Sequence, residues 1–148
     1  MNSPIFLDAN VFVYSVGRDH LLKEHSKRVL ALVPDHVGFF TDAEVFQELL
    51  HRYLALRTWE KMRASFSNFL DLMKGRTEAI SVEDVERAAR LATTYPSLSA
   101  RDLIHVGVIQ RVGATRIVSA DADFDVVGSL ERLDPLQVDE WRSLVSGN

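Results

Sequence analysis

Four separated segments of the 148-residue sequence each place an acid where metal-assisted chemistry has a use for one. Asp8 ends the apolar run Pro4-Ile5-Phe6-Leu7, and Glu48 interrupts the mostly apolar face of Val45-Phe46-Gln47-Glu48-Leu49-Leu50. Asp102 falls in the first turn of Ser99-Ala100-Arg101-Asp102-Leu103-Ile104, and Asp121, Asp123 and Asp125 crowd the loop after Arg116-Ile117-Val118-Ser119. A hard divalent ion wants such oxygen ligands, one or two carboxylates directly and others through water. The ion lowers the pKa of a water, shields phosphate charge and steadies a leaving oxygen, which is what phosphodiester hydrolysis requires. Without a cation the same carboxylates would repel one another and any anionic substrate. They should titrate as a coupled set.

Each acid also has an ordinary structural use. Asp8 can cap a helix that starts at about residue 9. Asp102 can complete the cap begun by Ser99 and favour the helix dipole. Glu48 can pair with a buried Arg, and residues 121–125 can form a plain Asp-rich turn. The joint arrangement tips the balance, since two acids follow strand ends and two sit on helices able to flank the same edge.

The elements that must position these acids follow from apolar periodicity and its punctuation. Residues 4–7 read as a buried strand, followed by a short helix from Asp8-Ala9-Asn10 to about Ser15. A helix over 20–33 is stopped by Pro34-Asp35, and Val37-Gly38-Phe39-Phe40 reads as the second strand. Thr41 or Asp42 caps a helix over 43–56, and Thr58 starts another that ends at Gly75. A brief third strand is expected at 78–80, then helices over 82–94 (with Ser81 and Asp84 as a capping box) and 100–112. Strands at 116–119 and 131–133 and a helix over 136–145 finish the chain. Short apolar strands alternating with helices predict a three-layer α/β/α sandwich with a mainly parallel sheet, a single domain over 1–148. Right-handed crossovers gather the carboxyl ends of its strands on one edge, where such folds bind ligands.

Composition narrows the chemistry. There is no cysteine, which excludes disulfides, thiolate catalysis and sulfur-ligated zinc. Twenty-one Asp/Glu against five His favour Mg²⁺ or Mn²⁺ as the ion. No apolar run approaches membrane-span length, and residues 1–15 lack a positive n-region, so no membrane association, no secretory signal and a cytoplasmic location are expected. The net charge of −4 argues at first against a nucleic-acid partner, yet residues 51–76 hold six Lys/Arg against two Asp/Glu. A basic segment of that kind suits phosphate contact or a solvated helix surface equally. His20, His25, His36 and His51 form no ligand spacing; His105 lies one turn beyond Asp102 and reads better as a core-edge histidine than as a phosphate contact. Trp59, Phe66 and Phe69 read as core or dimer surface rather than as a base-stacking platform.

The segments Phe6-Leu7-Asp8-Ala9-Asn10, Gln47-Glu48-Leu49, Ser99-Ala100-Arg101-Asp102-Leu103-Ile104-His105 and Ile117-Val118-Ser119-Ala120-Asp121-Ala122-Asp123-Phe124 together resemble the PIN-domain nucleases, most closely the VapC-type toxins of toxin–antitoxin pairs. Order and spacing agree over nearly the whole chain. The resemblance implies an acidic site of Asp8, Glu48, Asp102 and Asp121, with Asp8 and Asp102 foremost as direct Mg²⁺ ligands. Asp123 would be an additional ligand or a water-holding acid, and the loop leaves open which of Asp121 and Asp123 faces the ion. Asn10 and Ser119 match polar positions that support the acids by hydrogen bonding. The resemblance further implies cleavage of single-stranded RNA by metal-activated water to leave a 5′-phosphate, homodimerisation, and a cognate antitoxin whose tail blocks the site. Two other readings compete. Leu7-Asp8-Ala9-Asn10-Val11 also resembles the start of haloacid-dehalogenase-type phosphatases. That family needs a second acid where Asn10 stands and a downstream lysine, and Lys23, Lys27, Lys61 and Lys74 occupy no such setting. A PIN-like module that binds RNA or protein without cutting is the non-enzymatic alternative.

Overall fold

Strand β1 (Ile5–Leu7) is three residues long and entirely buried, the expected fate of an apolar run covered on both faces. It pairs in parallel with β2 (Phe39–Asp42) on one side and β4 (Arg116–Val118) on the other. Beyond them lie β3 (Thr77–Glu78) against β2 and β5 (Glu131–Leu133) against β4, again parallel. The sheet order is therefore β3-β2-β1-β4-β5 in this computed structural model, which describes residues 3–146. The expected domain of residues 1–148 reaches four residues outside that range. Seven helices flank the sheet among the described residues: α1 (Ala9–Val16), α2 (Leu21–Leu32), α3 (Ala43–Ala55), α4 (Trp59–Leu72), α5 (Val82–Thr94), α6 (Ala100–Val112) and α7 (Val138–Ser146). This is the three-layer, parallel arrangement expected from the sequence.

The order of strands fixes where a ligand can bind. The chain leaves the carboxyl end of β1 toward β2 and leaves the carboxyl end of β4 toward β5. With right-handed crossovers those two connections depart to opposite faces and open a crevice between adjacent strand ends. Asp8 directly follows β1, and Ser119 to Asp121 follow β4. The crevice is floored by fully buried Phe6, Leu7, Ile117 and Val118, and each such side chain is worth about 1.5–3 kcal/mol of burial.

Helix starts follow local capping chemistry. Asp42 is at once the last residue of β2 and the N-cap of α3, its Oδ1 accepting the Val45 N–H at 3.0 Å. Ser99 caps α6, and Gly113 at φ 83° ends it in the left-handed region that suits a residue without Cβ. Several boundaries differ from expectation by a few residues, among them the third strand, which covers Thr77–Glu78 rather than 78–80. The second strand begins at Phe39 rather than Val37, because Val37 is 75% exposed in the preceding turn and its apolar character is not used. Helix α4 starts at Trp59, but the Thr58 side chain makes no capping bond and instead donates to the Tyr53 carbonyl at 3.4 Å.

Ser81 and Asp84 form the expected capping box of α5, and the carboxylate also receives Arg111 of α6. Arg111 Nε donates to Asp84 Oδ1 at 2.8 Å, and its Nη atoms reach Asp84, Glu78 and the Ala79 carbonyl. Burial opposes a charge on Asp84, yet the Arg111 and Ser81 hydrogen bonds outweigh it and hold the carboxyl below its ordinary 3.8. The stability from this ion pair is therefore present above pH 3.8 and is lost as pH falls through the lower folded value. Asp84→Ala should cost about 3 kcal/mol at pH 7, the low end for a broken buried pair because Arg111 remains partly solvated. Urea denaturation of the variant checks this, and the difference from wild type should shrink toward pH 3.

Candidate active site

The end of β1 is sewn to the end of β4 by side chains. Asp8 Oδ1 accepts the Ala9 N–H at 2.8 Å, so the acid does cap α1. Its Oδ2 accepts the Ser119 hydroxyl at 2.7 Å and the Asn10 amide at 3.2 Å. The Ser119 hydroxyl in turn accepts from Asn10 Nδ2 and from the Asp121 N–H, both at 3.0 Å, while Asn10 Oδ1 accepts the Ala120 N–H at 3.1 Å. One hydroxyl thus uses its donor and both lone pairs, and the amide orientation of Asn10 follows from its partners. Asn10 and Ser119 therefore both donate to the Asp8 carboxylate.

Asp8 is buried, while Glu48, Asp102 and Asp121 are partly buried and Asp123 is exposed. Asp102 feels the charges of Asp8, Asp121 and Glu48, which places the four principal acids in one electrostatic neighbourhood. Burial, then the Asp8 charge, pushes the Asp102 carboxyl up to about 6, with His105 opposing and Asp121 and Glu48 adding. Burial likewise raises Asp8, against the nearby His105 and the Ser119 hydrogen bond. The Asp102 N–H, not its carboxylate, completes the Ser99 cap at 3.2 Å, so the side chain is free for the cluster. Asp121 Oδ1 accepts the Asp123 N–H at 2.9 Å as the turn-former expected of it. Asp125 turns away onto Arg132 at 2.9 Å and does not join.

His105 departs most from expectation. It is fully buried, not at the core edge and not open to a phosphate. Its Nδ1 lies 2.8 Å from Asp42 Oδ2 and its Nε2 lies 2.9 Å from Glu48 Oε1, with Asp8 Oδ1 4.0 Å away. The partner of Glu48 is thus this histidine and not a buried arginine. Burial opposes a charge on the ring, but hydrogen bonds to Asp42 and Glu48 and the charges of Asp42 and Asp8 raise it well above its ordinary 6.5. Glu44, a further half-buried acid, is raised by burial and by Glu48 and Asp42 against His105 and Arg101. Sequence reasoning read Asp42 only as a cap and left Glu44 aside. Their signal was three acids at positions 42, 44 and 48 around one helix start.

The donor chemistry suits a hard divalent cation. Asp8, Glu48 and His105 present ligand atoms within 4.8 Å of one another, yet both nitrogens of His105 are taken by carboxylates. The donors left for an ion are carboxylate oxygens, among them Asp8 Oδ1, which among the described residues accepts only the Ala9 N–H and keeps a lone pair. That set matches Mg²⁺ or Mn²⁺ and not a soft metal. A cleft of about 210 Å³ adjoins the acids, lined by Asn10, Tyr14, Glu48, Arg52 and Arg101 among others. Of the basic segment 51–76, Arg52 reaches this cleft, whereas Arg63 pairs with Glu60 and Arg76 binds the carbonyls of His36 and Phe39. Phe69 is buried, and Trp59 and Phe66 pack edge-on with ring centroids 5.4 Å apart against the core, as expected of core aromatics.

Residues 5–130 match the family model described as PIN domain. A VapC ribonuclease of Mycobacterium bovis is 34% identical over 132 residues, 87% of this chain and 98% of that protein. Ribonuclease VapC23 of Mycobacterium tuberculosis is 39% identical over 120 residues, 79% of this chain and 92% of that one. Among solved structures, VapBC2 from Rickettsia felis, bound to a DNA fragment from its promoter, superposes with a TM-score of 0.68 at 17% identity, covering 88% of this chain and 97% of that one.

Proposed function

The chain belongs to the PIN-domain family, among the VapC ribonucleases, and from that premise we propose that it is a Mg²⁺-dependent endoribonuclease that cuts single-stranded RNA as the toxin of a toxin–antitoxin pair. The observation that carries this reading is that Asp8 and Glu48, from distant segments, bring carboxylate oxygens within 4.8 Å at the crevice between β1 and β4, where Ser119 ties Asp8 to Asp121, and the raised Asp102 carboxyl is in keeping with it. The family match leaves the haloacid-dehalogenase-type reading without support.

A bound Mg²⁺, with Mn²⁺ as a substitute, supplies charge to the phosphate and acidity to a water. The chain's own residues do the rest. Asp8 and Asp102 would hold the cation, and Asp121 and Asp123 would supply further carboxylates to it. Ser119 and Asn10 fix the Asp8 carboxylate so that its orientation need not be bought at the moment of reaction. Glu48, at the mouth of the cleft, accepts a hydrogen bond from the attacking water and orients it toward phosphorus. Arg52 and Arg101 line the same cleft and offset the repulsion between the acids and the RNA backbone.

Incubation of purified protein with single-stranded and duplex RNA tests this. Cleavage of the single strand in Mg²⁺, ending in a 5′-phosphate and abolished by EDTA, is the expected result. RNA binding that ignores EDTA and yields no products favours the non-catalytic module instead. Ser119→Ala should lower cleavage by roughly 10–100-fold, because Asp8 loses its shortest hydrogen bond. Single-turnover kinetics at saturating RNA measures it.

The partners follow the same reading. A toxin–antitoxin complex from Klebsiella pneumoniae is similar in fold, with a TM-score of 0.62 at 18% identity, and it supports an antitoxin that occupies the acidic cleft as the corresponding partner here. Leu50 and Leu54 of α3, with Leu56 just beyond it, are 36–58% exposed and favour a homodimer through that face. Among the described residues no helix is long and apolar enough to cross a membrane, and a cytoplasmic site of action accords with an RNA substrate.

A further inference from the structure

We propose that the buried Asp42–His105 pair is a positioning device for Glu48, holding its carboxylate at the edge of the acid cluster as a water-orienting acceptor and out of direct contact with the cation. The inference rests on the nuclease reading above and deepens it.

The geometry is that of a relay across three elements. Asp42 is fully buried at the junction of β2 and α3, and its two oxygens have separate duties: Oδ1 accepts the Val45 N–H, and Oδ2 meets His105 Nδ1 at 2.8 Å. His105, on α6, is also fully buried, with its ring 5.2 Å from that of Phe6 of β1. A ring so enclosed, with one nitrogen held by an immobile carboxylate, can present its other nitrogen in one direction only. That nitrogen meets Glu48 Oε1 at 2.9 Å. Glu48 is otherwise a flexible, partly exposed side chain on α3, and among the described residues His105 is its only hydrogen-bond or ion-pair partner. Fixing one carboxylate oxygen costs side-chain entropy, and only the relay is in place to offset it. With Oε1 engaged by His105, Oε2 is left for the cleft that Glu48 lines. Glu48 then acts on water, while Asp8, Asp102 and Asp121 remain for the ion.

Metal-binding histidines commonly give their second nitrogen to a carboxylate, as His105 does. Glu48 at hydrogen-bond distance from Nε2 occupies the place a cation would need, so the structure assigns His105 to Glu48 and not to the metal.

The test is a double-mutant cycle on His105→Gln and Glu48→Gln, read in single-turnover cleavage, in Mn²⁺ affinity and in melting temperature. His105→Gln should lower kcat roughly 10–100-fold with KM and Mn²⁺ affinity within about twofold of wild type. It should have no further effect on kcat in the Glu48→Gln background, since it acts through that residue. Asp42→Asn, which keeps an oxygen for the Val45 cap, should give a smaller loss of the same pattern if His105→Gln fails to fold. A ring N–H resonance protected from exchange, absent in His105→Gln and displaced in Glu48→Gln, should report the contact without any cleavage. Loss of Mn²⁺ affinity in His105→Gln would make His105 a ligand and overturn the proposal. So would an equal kcat loss in both backgrounds, which is the mark of a purely structural role. Wild type that fails to cut RNA sinks the nuclease reading and the relay's catalytic purpose together; wild type that cuts while His105→Gln is indifferent sinks the relay alone.

Discussion

Asp8→Asn should cut RNA at about one-hundredth of the wild-type rate or less in saturating Mg²⁺, while its circular dichroism stays that of the wild type. The magnitude follows from removing one preorganised charge from a site built around it. The fold should survive because an asparagine at position 8 retains an oxygen for the Ala9 cap or the Ser119 hydroxyl. Its new amide faces Asn10 Nδ2, donor against donor, which disturbs the knot between β1 and β4 locally. Cleavage by Asp8→Asn at the wild-type rate would mean that the crevice is not the catalytic site.

Asp102→Asn should lose activity and gain stability in the absence of a divalent ion. The Asp102 carboxyl, displaced from 3.8 to about 6, binds its proton more tightly in the folded protein than in the unfolded chain. Its favourable contribution is complete below pH 3.8 and is lost as pH rises through about 6. At pH 7 the ionised group is therefore a liability. At 1.36 kcal/mol per unit the displacement corresponds to about 3 kcal/mol, and solvent reaching a half-buried carboxylate reduces it to about 1–2 kcal/mol. In EDTA at pH 7 the variant should melt higher than wild type by roughly 3–6 °C. Saturating Mg²⁺ should reverse the order, since an ion at 100 times its Kd stabilises the folded wild type by about 2.7 kcal/mol and the variant far less. Equal stabilisation of both proteins by Mg²⁺ would place the ion away from Asp102. The destabilising charge and the metal affinity are two views of the same crowding.

The sequence made the elements legible because their boundaries carry local chemistry. Ser81 with Asp84 marks the start of α5, and Ser99 and Gly113 mark the start and the end of α6, through bonds within a few residues of each mark. Asp8 and Asp121 could be placed at strand ends for the same reason, and the reversal of strand order explains why those ends meet. Val37 failed as a strand signal because hydrophobicity does not say whether a residue is in the ladder or in the turn before it.

The relay was illegible for a different reason. Asp42 and His105 are 63 positions apart and His105 and Glu48 are 57 apart. Helical periodicity places His105 on the face of Asp102 but is silent on what opposes that face. The opposing residue depends on how α6 lies against β2 and α3, and that is set by packing of the shared core, to which Phe6, Val45 and Val106 belong, rather than by any motif. The alternative of an arginine partner for Glu48 was right in charge logic and wrong in identity. A buried acid demands a cation, and a histidine two carboxylates share can be one.

The central claim is that separated acids meet around one divalent ion at the β1–β4 crevice, and an anomalous difference map from a Mn²⁺-soaked crystal tests it most directly. The expected result is a single strong peak within about 2.0–2.3 Å of carboxylate oxygens of Asp8 and Asp102, with Asp121 adjacent and Glu48 still bonded to His105. A peak elsewhere on the molecule, or none at a Mn²⁺ concentration that supports cleavage, would contradict it.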